Sequence, residues 1–225
     1  MYKIETHLHT KYSSACGRLD EKQIVSGYLE AGYAGVVVTD HFCRSSFQNF
    51  LHQDIADAAD AMKRYLEGYF RVKEEGERSG LRVYKGMELR FDCNLNDYLL
   101  YGFEDDLLLD IDGVFAGGLE QFVEKSRAAG ALLIQAHPYR EVCQVADHRY
   151  LDGVEVLNLH PGQKSRNELV IEYARRWPEL IRTSGSDCHE MHHLGRGGIL
   201  ADYLPKDEKE LVQLLRSGKY QLIGG

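Results

Sequence analysis

The sequence predicts an α/β fold with parallel strands arranged as a barrel. Three observations predict it. Short apolar runs alternate with amphipathic stretches, the pattern of strand–helix units wound around a parallel sheet. The 225 residues carry no internal repeat, low-complexity tract or Pro/Gly/Ser-rich linker, so 1–225 reads as one domain. Residues able to hold a metal fall directly after the apolar runs, at the C-terminal strand ends where barrels carry their chemistry.

The elements follow in order. Tyr2–Glu5 reads as a short strand. Glu21–Ala31 sets Ile24, Val25, Tyr28 and Leu29 on one helical face, with Gly32 as its stop. The β-branched run of Gly35–Thr39 reads as a fully buried strand. Ile55–Arg78 reads as a long charged helix interrupted near Gly68. Leu81–Leu89 and Tyr98–Phe103 are expected strands, Leu119–Ala129 a helix and Ala131–Ala136 a strand. Gly153–Leu157 is an expected strand, Asn167–Arg176 a helix and Leu180–Thr183 a strand. Lys209–Ser217 closes the series as a helix before Tyr220–Ile223.

Composition narrows the function. Apolar residues make up 44%, an ordinary globular value. No run of about 18 apolar residues suggests a membrane span, and the start MYKIETHLHT lacks the apolar core of a signal peptide. Cys16, Cys43, Cys93, Cys143 and Cys188 form no CxxC pair and read as reduced thiols of a cytoplasmic protein. A net charge of −8 argues against a long nucleic-acid partner, which needs a basic footprint. It leaves an anionic small substrate open, because bound cations reverse the local sign.

The candidate chemistry sits after the strands. His7 and His9 follow the first; in extended backbone, residues i and i+2 project from one face and can reach one ion. Asp40 and His41 follow GVVVT, Glu88 ends Arg82–Met87, and His137 ends ALLIQA before Pro138. Asn158 and His160 follow GVEVL; Asp187 and His189 follow LIRTSGS, with Cys188 expected to face away. Each alone reads more simply as a hydrogen-bonded side chain. Together they need a common partner, since buried imidazoles and carboxylates are costly unpaired. A metal is that partner, and this ligand mixture suits zinc, manganese or iron over calcium. His52 and His148 read as solvated, and His192 and His193 as a surface loop, with contact of one of them to substrate as the alternative.

HLHT at 7–10, TDH at 39–41, GMEL at 86–89, AHP at 136–138 and GSDCH at 185–189 come in the order of the PHP family, named for polymerase and histidinol phosphatase. The sequence resembles that family over residues 4–189. The resemblance implies a distorted (β/α)7 barrel holding two or three divalent ions, manganese, zinc or iron. It implies that His7 and His9 bind one ion with Asp187. Glu88 bridges this ion to a second, which His137 also binds, and His41 and His189 hold the third. His160 completes the second ion, with Asn158 the competing choice. The sequence departs from the family at Ser13-Ser14-Ala15-Cys16-Gly17, where an Asp or His is usual. Either Cys16 supplies a thiolate or the third site is weakened.

The implied activity is metal-dependent hydrolysis of a phosphate ester, most simply a small phosphomonoester, by a hydroxide bridging two ions. Arg140 and Arg196 are candidates to grip the phosphate, weighed evenly against surface roles. Asp40 reads as orienting a ligand histidine. Three other readings stand beside this one: an amidohydrolase-type enzyme, a 3′-exonuclease on short substrates, and a non-catalytic metal-binding accessory module. A bridging Glu88 in place of a modified lysine weighs against the first, and the acidic charge against the second.

Overall fold

The computed structural model describes residues 1–224. The chain runs through β1 (Tyr2–Leu8), α1 (Glu21–Glu30), β2 (Tyr33–Val38), β3 (His41–Phe42), α2 (Arg44–Ser46), α3 (Ala58–Tyr65), α4 (Glu67–Ser79) and β4 (Arg82–Arg90). It continues through β5 (Asp97–Tyr101), α5 (Ile111–Ala128), β6 (Leu132–Gln135), β7 (Gly153–Asn158), α6 (Asn167–Arg176), β8 (Ile181–Gly185), β9 (Ile199–Ala201), α7 (Glu208–Ser217) and β10 (Tyr220–Leu222).

Local chemistry sets the helix ends. Asp20 accepts the Gln23 N–H while the Gln23 side chain accepts the Asp20 N–H, a reciprocal cap that starts α1. Asp207 caps α7 in the same position, and Gly218 closes it in the left-handed conformation. The long helix expected over Ile55–Arg78 is two helices, α3 and α4, that meet at Leu66. The second start serves packing. Gly68 in the first turn of α4 lies so close to Thr10 and Asp40 that a Cβ there would stand 2.2 Å from Thr10 Oγ1. α5 begins earlier than the periodicity suggested and kinks at Gly118 (φ 73°), whose conformation disfavours any side chain.

The sheet runs β10-β9-β1-β2-β4-β5-β6-β7-β8, with β3 also on β4. A parallel bridge from Leu8 to Cys188 brings the end of β1 against the segment after β8, so the sheet nearly closes on itself. This is the expected distorted barrel, with one correction: the strands are not all parallel. β5 is antiparallel to both β4 and β6. Only a short turn joins β4 to β5, too short for the crossover that a parallel pair needs. β9 and β10 are likewise antiparallel additions, to β1 and to each other. Strand β4 also runs two residues past Glu88, because β3 and β5 pair on either side of it.

Apolar packing fills the barrel below the strand ends. Ile4, Val37, Leu99 and Ile134 form one buried cluster with Leu211, Leu214 and Leu215 of α7. A second joins Leu8, Val36 and Val38 to Ile24 and Tyr28 of α1, and Cys188 packs here, turned from the polar strand ends as expected. Each such side chain contributes roughly 1.5–3 kcal/mol on burial. That support allows the opposite end of the barrel to collect charged groups. Among the described residues, no helix is long and apolar enough to cross a membrane.

Candidate metal centre

Two histidines from the end of β1 reach the middle of the barrel mouth, and both are fully buried. His7 Nδ1 lies 2.9 Å from Glu155 Oε1 of β7. A carboxylate accepts, so this nitrogen carries a hydrogen, and in the neutral ring that a cation would require Nε2 keeps a lone pair. His9 Nδ1 lies 3.2 Å from Ser14 Oγ, whose own hydroxyl donates to Asp40 at 2.7 Å. The serine hydrogen is thus used, and His9 Nδ1 is again the donor. Both Nε2 lone pairs then face Glu88 and Asp187. His7 Nε2 is 3.3 Å from Glu88 Oε1 and 3.5 Å from Asp187 Oδ1. His9 Nε2 is 3.4 Å from Glu88 Oε2 and 3.3 Å from Asp187 Oδ1.

These contacts are not hydrogen bonds. His7 Nε2, His9 Nε2 and Glu88 Oε2 are buried polar atoms without a hydrogen-bond partner. His41 Nδ1 does approach Glu88 Oε2 at 2.7 Å, but away from the direction a hydrogen bond requires. Lone pairs facing one another in a dry interior repel unless a cation lies between them. The residues therefore fit a metal, and imidazole with carboxylate is a donor set that transition metals accept.

The remaining candidates arrange around this pair. His137 Nε2 lies 3.0 Å from Glu88 Oε1. His9, Cys16, His41 and His189 place donor atoms within 4.8 Å of one another, so Cys16 stands where the sequence departs from the family and beside the two histidines expected there. Asp187 Oδ1 is 3.2 Å from His189 Nε2, and its other oxygen accepts from Arg140 at 2.6 Å. His137 (φ 30°) and Asp187 (φ 48°) both hold left-handed backbone, a strain that needs support from their surroundings. The His137 N–H finds it in Glu155 Oε2, at 3.1 Å.

Asp40 lies beside the cluster, one residue removed from His9. It accepts from the Thr10 backbone and hydroxyl and from Ser14, and reaches His9 only through that serine. Arg140 joins the cluster and also donates to Asn158 at 2.9 Å, while its Nε is buried without a partner. Two candidates sit elsewhere. His160 lies not with Glu88 and His137 but against His189 and His193, with ring centroids 5.2 and 4.3 Å away. Its loop turns toward the segment after β8. Arg196 is exposed, and its Nε donates to the His192 carbonyl at 3.1 Å. His193, read from sequence as a surface residue, is buried.

The electrostatics follow from this crowding. Burial lowers the pKa of His137 and His189, but neighbours outweigh it: Cys143 and Glu88 for the first, Asp187 and Cys16 for the second, and both rise to about 9. Burial, then the adjacent His189 and His41, hold His9 well below its ordinary value. Burial raises the Cys16 thiol, yet bonds to His189 and His41 overcome this and bring it down to about 6, which makes a thiolate accessible at neutral pH. Burial keeps His160 near 4, so it is a neutral ring.

Sequence reasoning passed over three supports. Glu155 binds His7, His137 and Asn158 at once. Its signal was present: an acidic residue inside the apolar strand GVEVL. Ser14 links Asp40, His9 and the His41 backbone, and nothing in its local sequence marks it. Glu5 accepts from the His7 and Ser186 backbones and from Tyr28, tying the ends of β1 and β8 together. It lies at i−2 from His7, a position the alternation of a strand could have flagged.

The profile of the PHP domain matches residues 5–217, nearly the whole chain. The chain belongs to the PHP domain family. No curated protein sequence matches it. Solved structures share the fold of this PHP domain at low identity. A two-domain Bacteroides vulgatus protein, described as containing a predicted PHP-like metal-dependent phosphoesterase, superposes with a TM-score of 0.70 at 14% identity, over 98% of this chain and 64% of its own. PsfC from Pseudomonas syringae gives 0.60 at 18% identity, over 88% and 80%. The lesion-specific endonuclease PfuEndoQ from Pyrococcus furiosus gives 0.61 at 16%, over 98% and 57%. The PHP domain thus spans less than two thirds of the first and third of these proteins.

Proposed function

We propose that this PHP domain hydrolyses a small phosphomonoester with two or three divalent ions, manganese, zinc or iron. The observation that carries the reading is the convergence of the unpartnered His7 Nε2, His9 Nε2 and Glu88 Oε2 in the barrel mouth. His7, His9, Glu88 and Asp187 would hold one ion. Glu88 with His137 would hold a second, and His9 or Glu88 would share the space of a third with Cys16, His41 and His189. Bound there, such ions supply Lewis acidity toward phosphoryl oxygens and ionise water near neutral pH.

The protein's own groups do the rest. Glu155 and Ser14 fix the tautomers that present the His7 and His9 lone pairs. Arg140, anchored by Asp187 and Asn158, leaves an unused Nε–H, and a guanidinium with a free edge suits a phosphate oxygen. The acidic interior makes an anionic substrate depend on the ions, which ties activity to metal.

The purified protein should hydrolyse p-nitrophenyl phosphate, lose that activity to a chelator, and regain it with manganese, zinc or iron. A preparation reconstituted with each of these metals that turns over no phosphomonoester would end the proposal. Turnover of short oligonucleotides or of an amide substrate alone would favour the other readings.

The third ion has its own test. Cys16→Ser should lower the metal content by about one ion per chain, because a hydroxyl is a far poorer donor than a thiolate. Elemental analysis that finds equal occupancy in the variant and the parent would make Cys16 a packing residue.

A further inference from the structure

We propose that His160 and His193 form a pair of imidazole N–H donors that receives an oxygen of the substrate's phosphate beside His189, and that neither is a metal ligand. The inference rests on the phosphoesterase reading above and deepens it by assigning a phosphate subsite.

Spacing alone does not separate the two roles. His160, His189 and His193 bring nitrogen atoms within 4.8 Å of one another, as three ligands of an ion would. The hydrogen bonds on the far side of each ring decide. In His7 and His9 the Nδ1 donates, so the Nε2 lone pair is left for a cation. In His160 the Nδ1 accepts the Gly162 N–H at 3.0 Å. In His193 the Nδ1 accepts the His189 N–H at 3.2 Å. A backbone N–H can only donate, so each of these Nδ1 atoms spends its lone pair and the ring hydrogen resides on Nε2. An Nε2–H offers no lone pair to a metal, but it does offer a hydrogen to an oxygen. Among the described residues, neither Nε2 donates to a protein acceptor.

The surroundings suit an anion. The His160 backbone N–H points to Asn158 Oδ1 at 3.4 Å, the same oxygen that accepts from Arg140. Arg140 and the His160 backbone thus meet at Asn158 Oδ1, and Arg140 also donates to Asp187. The His160 and His193 rings lie 4.3 Å apart, with the His160 ring 5.2 Å from that of His189. His193 is buried and held by the backbone of His189 itself, so the donor is positioned by the segment that carries two candidate ligands. The loops after β7 and β8 thus each bring one imidazole to the pair.

The test uses manganese-loaded protein and two substitutions at each position. His160→Asn and His193→Asn keep an oxygen near the Nδ1 position to accept the backbone N–H and delete the outward donor. His160→Gln and His193→Gln carry an amide N–H out to the Nε2 position. Three quantities are measured: metal per chain by elemental analysis, the Kd of inorganic phosphate by calorimetry, and kcat and KM for p-nitrophenyl phosphate.

The expected result is unchanged metal content in all four variants. Phosphate Kd and substrate KM should rise about tenfold in each asparagine variant, as for loss of one hydrogen bond to a charged group, with a smaller change in kcat. The glutamine variants should recover most of the loss. Loss of about one ion per chain in either asparagine variant would overturn the inference, and so would an unchanged phosphate Kd. If the parent hydrolyses the ester while all variants match it in Kd and KM, the subsite fails and the phosphoesterase reading stands. If the parent neither binds phosphate nor turns over ester, both fail.

Discussion

Glu88→Ala is expected to strip the protein of most of its metal and to lower turnover at least about a thousandfold. The reason is position. Glu88 is buried at the centre of the barrel mouth and divides its two oxygens between two sides. Oε1 faces His7 and His137 at 3.3 and 3.0 Å, and Oε2 faces His9 and His41 at 3.4 and 2.7 Å. A carboxylate so placed would serve more than one ion, and no other acidic group in the cluster faces all four imidazoles. Its loss removes a negative charge from each ion's surroundings, worth several kcal/mol at the transition state, with about 1.4 kcal/mol for each factor of ten. Glu88→Gln is the control for shape, since it keeps the volume and removes the charge. Both variants should keep the parent's circular dichroism, because apolar packing lies below the mouth. Metal content within error of the parent in Glu88→Ala would refute a bridging role.

The second large effect is expected at a residue that would touch neither metal nor substrate. Glu155→Ala should weaken metal binding about ten- to a hundredfold and destabilise the protein by about 3–5 kcal/mol. Glu155 is completely buried, and its carboxylate accepts from His7 Nδ1, from the His137 backbone and from Asn158 Nδ2. Removing it leaves three buried donors without acceptors and frees the His7 ring to rotate or change tautomer. It also withdraws support from the left-handed backbone at His137. The two losses are separable. Urea denaturation of chelator-treated protein reads stability, and competition with a metal-binding dye reads affinity. An unfolding midpoint and a metal affinity both equal to the parent's would show that His7 is held by other means.

The sequence by itself placed most of the candidate histidines and carboxylates at one end of the barrel. His7, His9, Glu88, His137, Asp187 and His189 were legible because strands announce themselves locally. A β-branched run ends, and a polar residue at the next position must stand at the strand's C-terminal edge. Cys16 was legible as an anomaly, a thiol where an acid or imidazole was due. Helix α6 and the start of α7 were legible for the same local reason, periodicity written in neighbouring side chains. Tertiary structure alone decided what those residues do for one another. The tautomer of His7 depends on Glu155, 148 positions away, and that of His9 on a serine that no local pattern distinguishes. His160 and His137 both follow strands, yet the turn at Gly162 spends the His160 lone pair while His137 turns its ring to Glu88. Periodicity reports which side of an element a residue takes. Which atom of a ring carries the hydrogen is set by the partners the fold supplies, near in the chain for His9 and His160 and distant for His7, and on the reading proposed above that hydrogen would separate a lone pair for a cation from a donor for an anion.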